Sequence, residues 1–224
     1  MATFVLIHGA GSDGWYWHLV APELEARDHS VLAPDLPCDD DDADFTEYAR
    51  TVVEAIGDRR DVVLVAQSLG GFTAPLVCEQ VPVALLVFVA AMVPQPGEGA
   101  GEWWDATRWE EARAGAPMDP VEDFLHDLPD DVRAATMAHA QRGQSGTPFE
   151  RPYPLHAWPA VPTRAIACTQ DRFFPLAFMR RVVQERLGIV PEEIDCGHLP
   201  ALARPVDLAD RLHASWLEVA GAAR

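Results

Sequence analysis

The stretch Val62-Val63-Leu64-Val65-Ala66-Gln67-Ser68-Leu69-Gly70-Gly71 constrains this chain more than any other. Five apolar residues run straight into a turn carrying Gln67 and Ser68, and a helix-compatible segment follows. A buried strand that ends on a serine between small residues has the form of a nucleophile elbow, in which the backbone reverses so sharply that the hydroxyl stands clear of the sheet. So tight a turn excludes bulk two positions before and two positions after the serine. Those positions are Ala66 and Gly70. The usual first residue is glycine, and small-x-Ser-x-Gly also occurs in turns that do no chemistry. The elbow becomes informative only if the rest of the chain supplies a base, an acid and an oxyanion hole.

The candidates stand where strands end. Residues 3–7 form a short apolar strand that runs into His8-Gly9-Ala10-Gly11-Ser12-Asp13-Gly14. Three glycines in seven residues let this loop turn sharply and present its N–H groups. It reads either as a plain strand-to-helix turn or as half of an oxyanion hole. His8 is a base by type, but a histidine here is expected to hydrogen-bond within the loop and hold it. After a strand at 163–169 comes Gln170-Asp171, and after a last short strand at 192–196 comes Gly197-His198-Leu199-Pro200. Ser68, Asp171 and His198 thus follow the order nucleophile, acid, base. Loops at the carboxyl ends of parallel strands gather on one edge, so three residues far apart in sequence can meet. The residue types fit one chemistry. A serine hydroxyl needs an imidazole to take its proton, and the imidazole needs a carboxylate to fix its tautomer and balance its charge. Asp171 has a plainer reading as a helix cap, His198 as a turn histidine, and Asp195 is a competing acid inside the last strand.

The rest of the chain alternates apolar runs with amphipathic segments. Trp15, Trp17, Leu19, Val20 and Leu24 start a helix expected to end near Arg27, and residues 30–33 form a second strand. The run Asp39 to Asp42 lacks the alternation and glycine of a calcium loop, so it reads as solvated surface. Asp44 and Glu47 have the spacing of a capping box, and the helix behind them lines up Phe45, Tyr48, Ala49, Val52, Val53 and Ile56 before Gly57. Pro75 should kink or shorten the helix after Ser68. Residues 83–91 are apolar throughout, as in a strand covered on both faces. Pro175 and Pro205 each open a helix. This is an α/β pattern: a mostly parallel central sheet of about six strands flanked by helices. Residues 1–94 and 161–224 form its core. Between them, 95–160 is rich in proline, tryptophan and acids and reads as a helical cap, with helical pieces near 102–113, 120–127 and 130–142. Trp103 and Trp104 line a substrate site or form the small core of that cap.

Composition removes several function classes. The chain has 224 residues, enough for one domain with a sizeable core, and a formal net charge of −18. That charge argues against nucleic acid and anionic membrane as partners. No stretch nears the ~18 apolar residues of a membrane span, and the N-terminus reads as a first strand rather than a signal peptide. Cys38, Cys78, Cys168 and Cys196 are scattered without CxxC spacing, which suggests neither zinc nor disulfides and points to a cytoplasmic protein. Neither a cofactor nor a metal is called for, and oligomeric state is not legible.

Along nearly its whole length the sequence resembles the α/β-hydrolase fold superfamily. The matching stretches are Leu6-Ile7-His8-Gly9-Ala10-Gly11, Ala66-Gln67-Ser68-Leu69-Gly70-Gly71, Gln170-Asp171 and Gly197-His198-Leu199-Pro200. The loop followed by Trp15-Tyr16-Trp17 is similar to the plant methylesterase and hydroxynitrile lyase branch and its bacterial relatives. The resemblance implies Ser68 as nucleophile, His198 as base, Asp171 as acid, and an oxyanion hole from the N–H groups of Ala10 and Leu69. Hydroxynitrile lyases of this type carry a threonine in the first loop and a lysine directly after the catalytic histidine. Gly9 and Leu199 stand there instead, which disfavours cyanohydrin cleavage. A serine rather than an aspartate nucleophile disfavours dehalogenase and epoxide hydrolase chemistry. The chain is also short, without the first two strands of the full fold. The leading expectation is a cofactor-free serine hydrolase of a small, largely apolar ester or thioester, acting through an acyl-enzyme. The alternatives are the same triad in C–C bond hydrolysis, lactone opening or a lyase or cyclase step, and a ligand-binding member without chemistry.

Overall fold

The computed structural model describes residues 1–140 and 142–222. Its centre is a six-stranded, wholly parallel sheet in the order β2-β1-β3-β4-β5-β6. The strands are β1 (Thr3–Ile7), β2 (Ser30–Leu32), β3 (Val62–Gln67), β4 (Leu85–Val89), β5 (Thr163–Cys168) and β6 (Glu192–Ile194). The family resemblance and the apolar runs anticipated this sheet, and each strand lies within two residues of its expected ends.

Strand side chains alternate between two layers of core. Val5, Ile7, Leu64, Ala66, Leu86 and Phe88 face one layer, and Phe4, Leu6, Val63, Val65, Leu85 and Val87 face the other. Both layers are buried, so the central strands show no polar face in the sequence. The first layer is closed by α2 (Phe45–Ile56), α3 (Gly70–Cys78) and α9 (Leu176–Leu187). The second is closed by a 3-10 turn at Gly14–Trp17, α1 (Ala21–Glu25), α10 (Pro200–Ala203) and α11 (Pro205–Ala222). The Asp44–Glu47 capping box is present at the start of α2, whose apolar face is buried as the spacing requires.

Three local expectations change. The helix expected from Trp15 to Arg27 is two pieces, because Pro22 sits in the first turn of α1 and a new helix starts there. One helix runs through Pro75; its buried packing on the sheet outweighs the lost backbone bond. α10 was not foreseen. The aspartate run is exposed surface, where Asp39 pairs with Arg142. Between β4 and β5 the chain leaves the sheet and forms α4 (Trp103–Ala106), α5 (Trp109–Ala112), α6 (Pro120–Phe124), α7 (Asp130–Ala138) and α8 (Thr147–Glu150). All six strands end on the same edge of the sheet, and this insertion lies against that edge.

Candidate active site

Ser68 immediately follows β3 and takes φ +50, a left-handed conformation that non-glycine residues seldom adopt. The strain is held by close packing on both sides of the turn. A Cβ on Gly70 would stand 2.7 Å from the His8 carbonyl oxygen, so no larger residue fits there. Ala66 is fully buried on the sheet, where its small side chain is accommodated. The elbow thus aims Ser68 Oγ away from the strand and toward β6's loop.

There the hydroxyl meets His198, with Nε2 3.1 Å from Ser68 Oγ. His198 Nδ1 lies 2.8 Å from Asp171 Oδ2. The second oxygen of Asp171 accepts from the Phe173 and Phe174 N–H groups, both at 2.8 Å. Asp171 therefore pins the turn at Phe173 and Phe174 as well as meeting the histidine; it does not cap α9, which starts behind Pro175 without a side-chain cap. Asp195 is not the partner. It is exposed and accepts from Thr169 Oγ1 and Gln170 Nε2, which hold its carboxyl below the usual range. The His198 ring is buried, with Phe124, Phe173 and Phe174 at centroid distances of 5.3, 5.1 and 5.1 Å.

The glycine-rich loop after β1 lies beside the serine. A Cβ on Gly9 would be 2.8 Å from Ser68 Cβ and 2.5 Å from Gln67 Oε1, so only glycine fits this approach. His8 is buried, and its Nε2 accepts from the Leu36 N–H at 3.0 Å while Nδ1 donates to the Gly9 carbonyl at 2.8 Å. That pattern makes it a neutral loop clamp, and burial lowers its pKa further. Ala10 and Leu69 both line the cavity in front of Ser68. Neither N–H donates to an acceptor among the described residues.

That cavity measures about 500 Å³ and opens over Ser68 and His198. Trp15, Tyr16, Trp104, Phe124, Phe149 and Phe173 supply its aromatic wall, and no lysine or arginine lines it among the described residues. Of the two readings left open for these tryptophans, Trp104 takes the cavity-lining one. Trp103 takes a core position instead: it is fully buried, donates Nε1–H to the Val93 carbonyl at 3.0 Å, and packs on Phe174 and Phe178. Adjacent residues of a helix leave it in different directions, so Trp104 reaches the cavity while Trp103 is sunk in the core, although their rings touch.

Several lining residues escaped the sequence reading. Met92 and Phe173 each follow a strand end, a placement that could have flagged them. His139 and Asp13 meet at 2.9 Å across the cavity mouth, where Trp15 stacks between His18 and His139. No sequence signal joins residues 126 positions apart in this way.

The chain matches the alpha/beta hydrolase family model over residues 4–211. It belongs to that family. It is 28% identical to Methylesterase 7 of Arabidopsis thaliana over 243 residues, covering 92% of each chain. It is 26% identical to Norfluorocurarine synthase 1 of Strychnos sp over 247 residues, covering 92% of this chain and 91% of that one. Among solved structures it resembles a pyrethroid hydrolase from Sphingobium faniae, with a TM-score of 0.76 and 23% identity over 96% and 97% of the two chains. The resemblance to the methylesterase branch read from the sequence is therefore sound. This hydrolase is a carboxylesterase-like enzyme acting on a small molecule. None of its described helices is long and apolar enough to cross a membrane.

Proposed function

We propose that this hydrolase cleaves a small, uncharged, largely apolar carboxylic ester or thioester through an acyl-enzyme on Ser68. The observation that carries this reading is the hydrogen-bonded chain from Ser68 Oγ to His198 to Asp171, opening onto an aromatic cavity with no lysine or arginine among its described lining residues. In this reading 95–160 is a cap over a core formed by 1–94 and 161–224. The free, scattered cysteines support a cytoplasmic location.

The steps follow from the geometry. Ser68 Oγ attacks the ester carbonyl carbon as His198 Nε2 takes the hydroxyl proton, and Asp171 stabilises the imidazolium through Nδ1–H. The carbonyl oxygen becomes an oxyanion held by the Ala10 and Leu69 N–H groups. Collapse expels the alcohol or thiol, which leaves with the proton from Nε2. Water then attacks the acyl carbon as His198 takes its proton, and the acid departs as Nε2 returns that proton to Ser68 Oγ. A carboxylate on the substrate would find no arginine among the described lining residues and would meet the side chain of Asp13, so neutral acyl groups are favoured.

p-Nitrophenyl acetate and butyrate test this directly. Turnover by the wild type, labelling of Ser68 by a fluorophosphonate and loss of both in Ser68→Ala are expected. No turnover and no labelling of the wild type would sink the reading. One second reading has support: the similarity to a protein named as a synthase suits the same triad in C–C bond hydrolysis, lactone opening or a lyase or cyclase step. In that case fluorophosphonate still labels Ser68, but simple esters are turned over poorly.

A further inference from the structure

We propose that Asp127, carried by the insertion, is a positioning residue for the base His198, an inference that rests on the esterase reading of Ser68. The His198 ring must satisfy Asp171 at one nitrogen and Ser68 at the other, at 2.8 and 3.1 Å. A ring fixed at both ends tolerates little movement of its own backbone. Two side chains pin that backbone. Gln67, next to the nucleophile, donates Nε2–H to the His198 carbonyl at 3.2 Å. Asp127 Oδ2 accepts the N–H of Gly197, the residue before His198, at 2.6 Å. One support comes from the sheet and the other from the insertion.

The surroundings of Asp127 show what it serves. Its side chain makes no other hydrogen bond among the described residues, and its Oδ1 is buried without a partner. An unpaired buried carboxylate oxygen costs stability, and the insertion gains no internal hydrogen bond from this side chain in return. Oδ1 and the likewise unpaired His126 Nε2 press on the bare Cα of Gly197. A Cβ there would lie 2.6 and 2.9 Å from them. The carboxylate therefore reaches its donor only because position 197 has no side chain. Three residues earlier, Phe124 packs on the His198 ring at 5.3 Å, so the same turn of the insertion supports both ring and backbone.

Neighbouring contacts extend this to the acid loop. Trp109 Nε1–H donates to the Phe173 carbonyl at 2.8 Å, and Arg113 donates to the Arg172 carbonyl at 3.2 Å. The insertion thus touches the loops of both Asp171 and His198, beyond covering the cavity. A displacement of about 1 Å in a catalytic group costs on the order of a hundredfold in rate.

Asp127→Ala, Asp127→Asn and Gly197→Ala test the inference with p-nitrophenyl butyrate. Asp127→Ala should lower kcat by about 10- to 100-fold with KM within about twofold. Asparagine keeps an oxygen acceptor, so Asp127→Asn should restore kcat to within about threefold of wild type. Gly197→Ala should match Asp127→Ala by displacing an intact carboxylate. A readout independent of turnover is the downfield proton resonance of His198 Nδ1–H, expected sharp in the wild type and Asp127→Asn and shifted or broadened in Asp127→Ala. Wild-type kcat and an unchanged resonance in Asp127→Ala would overturn the inference. So would a loss of melting temperature that Asn does not rescue, since Asp127 would then serve only folding. If the wild type cleaves no ester, the esterase reading fails, while the resonance still decides the role of Asp127.

Discussion

In the sheet, β1, β3 and β4 are apolar at almost every position, both faces are covered, and the loops of the candidate site follow from where strands stop. In the insertion, five helices of four to nine residues carry few buried residues of their own. Helices that short are marginal alone. They are held instead by large polar side chains reaching backbone carbonyls: Trp103 to Val93, Trp109 to Phe173, and Tyr153 Oη–H to Phe72 at 2.8 Å. Pattern builds the first region and individual bonds build the second. Substitutions should therefore separate them, with chemistry lost from the sheet edge and order or specificity lost from the insertion.

The largest effect tests the sheet edge alone. Asp171→Asn keeps the shape but supplies an amide where His198 needs a carboxylate, and kcat is expected to fall by about 10⁴ with little change in melting temperature. Asp195→Asn should stay within about twofold, because that side chain faces solvent and, among the described residues, bonds Thr169 and Gln170 alone. If Asp195→Asn gave the large loss instead, the logic by which strand ends bring Asp171, and not the equally strand-terminal Asp195, to His198 would be broken.

That logic explains how much could be read in advance. The meeting of Ser68, Asp171 and His198 was legible because the first two follow apolar runs and the third a short strand, and parallel strands must bring their ends together. The capping box at Asp44 was legible because it is local. The division of labour between Trp103 and Trp104 was not, since a four-residue helix has no apolar period to read. Asp127 was invisible for another reason. Its partner is a backbone N–H seventy positions away, and a backbone group leaves no mark on the sequence.

Next in size is the buried ion pair inside the insertion. Arg113 Nη2 meets Asp123 Oδ2 at 3.1 Å with side chains 3% and 8% exposed, and Arg113 also caps the Ala116 and Pro117 carbonyls. Arg113→Met leaves a buried carboxylate without its counter-ion, at a cost of about 3–5 kcal/mol. Because the sheet has its own core, the loss should be local: limited proteolysis within 95–160 accelerates by about a hundredfold or more while the sheet stays protected from hydrogen exchange. Uniform loss of protection across sheet and insertion would mean the two regions fold as one cooperative unit.

Acid should strike the sheet side first. His29 is buried against Phe4, accepts from the Ala2 N–H at Nδ1 (3.1 Å) and meets His213 Nδ1 at 2.8 Å. Burial first, and the neighbouring His213 second, lower its pKa to about 4. A lowered histidine pKa means the folded state resists taking the proton. Its stabilising contribution is complete above about pH 6.5 and is lost as pH falls through about 4. His29→Gln keeps an acceptor but does not titrate, so its melting temperature should fall less than that of the wild type between pH 7 and pH 4. Parallel profiles would remove His29 as the acid-sensitive point.

The smallest effect asks whether the insertion shapes specificity at all. Trp104 lines the cavity and meets Trp103, Trp109 and Phe173 at centroid distances of 5.2, 4.9 and 6.0 Å. An aromatic contact with an apolar acyl chain is worth about 1 kcal/mol, or roughly fivefold in KM. Trp104→Ala should therefore raise KM for p-nitrophenyl butyrate by about fivefold, leave kcat within about twofold, and favour longer acyl chains that fill the space. Trp103→Ala should instead lower the melting temperature and leave acyl preference alone, because its ring faces the core. The two neighbours thus set the insertion's packing role against its substrate role within one helix. If both substitutions moved only stability, the aromatic wall would belong to the fold, and acyl preference would have to come from the sheet-edge residues Met92, Phe173 and Leu199.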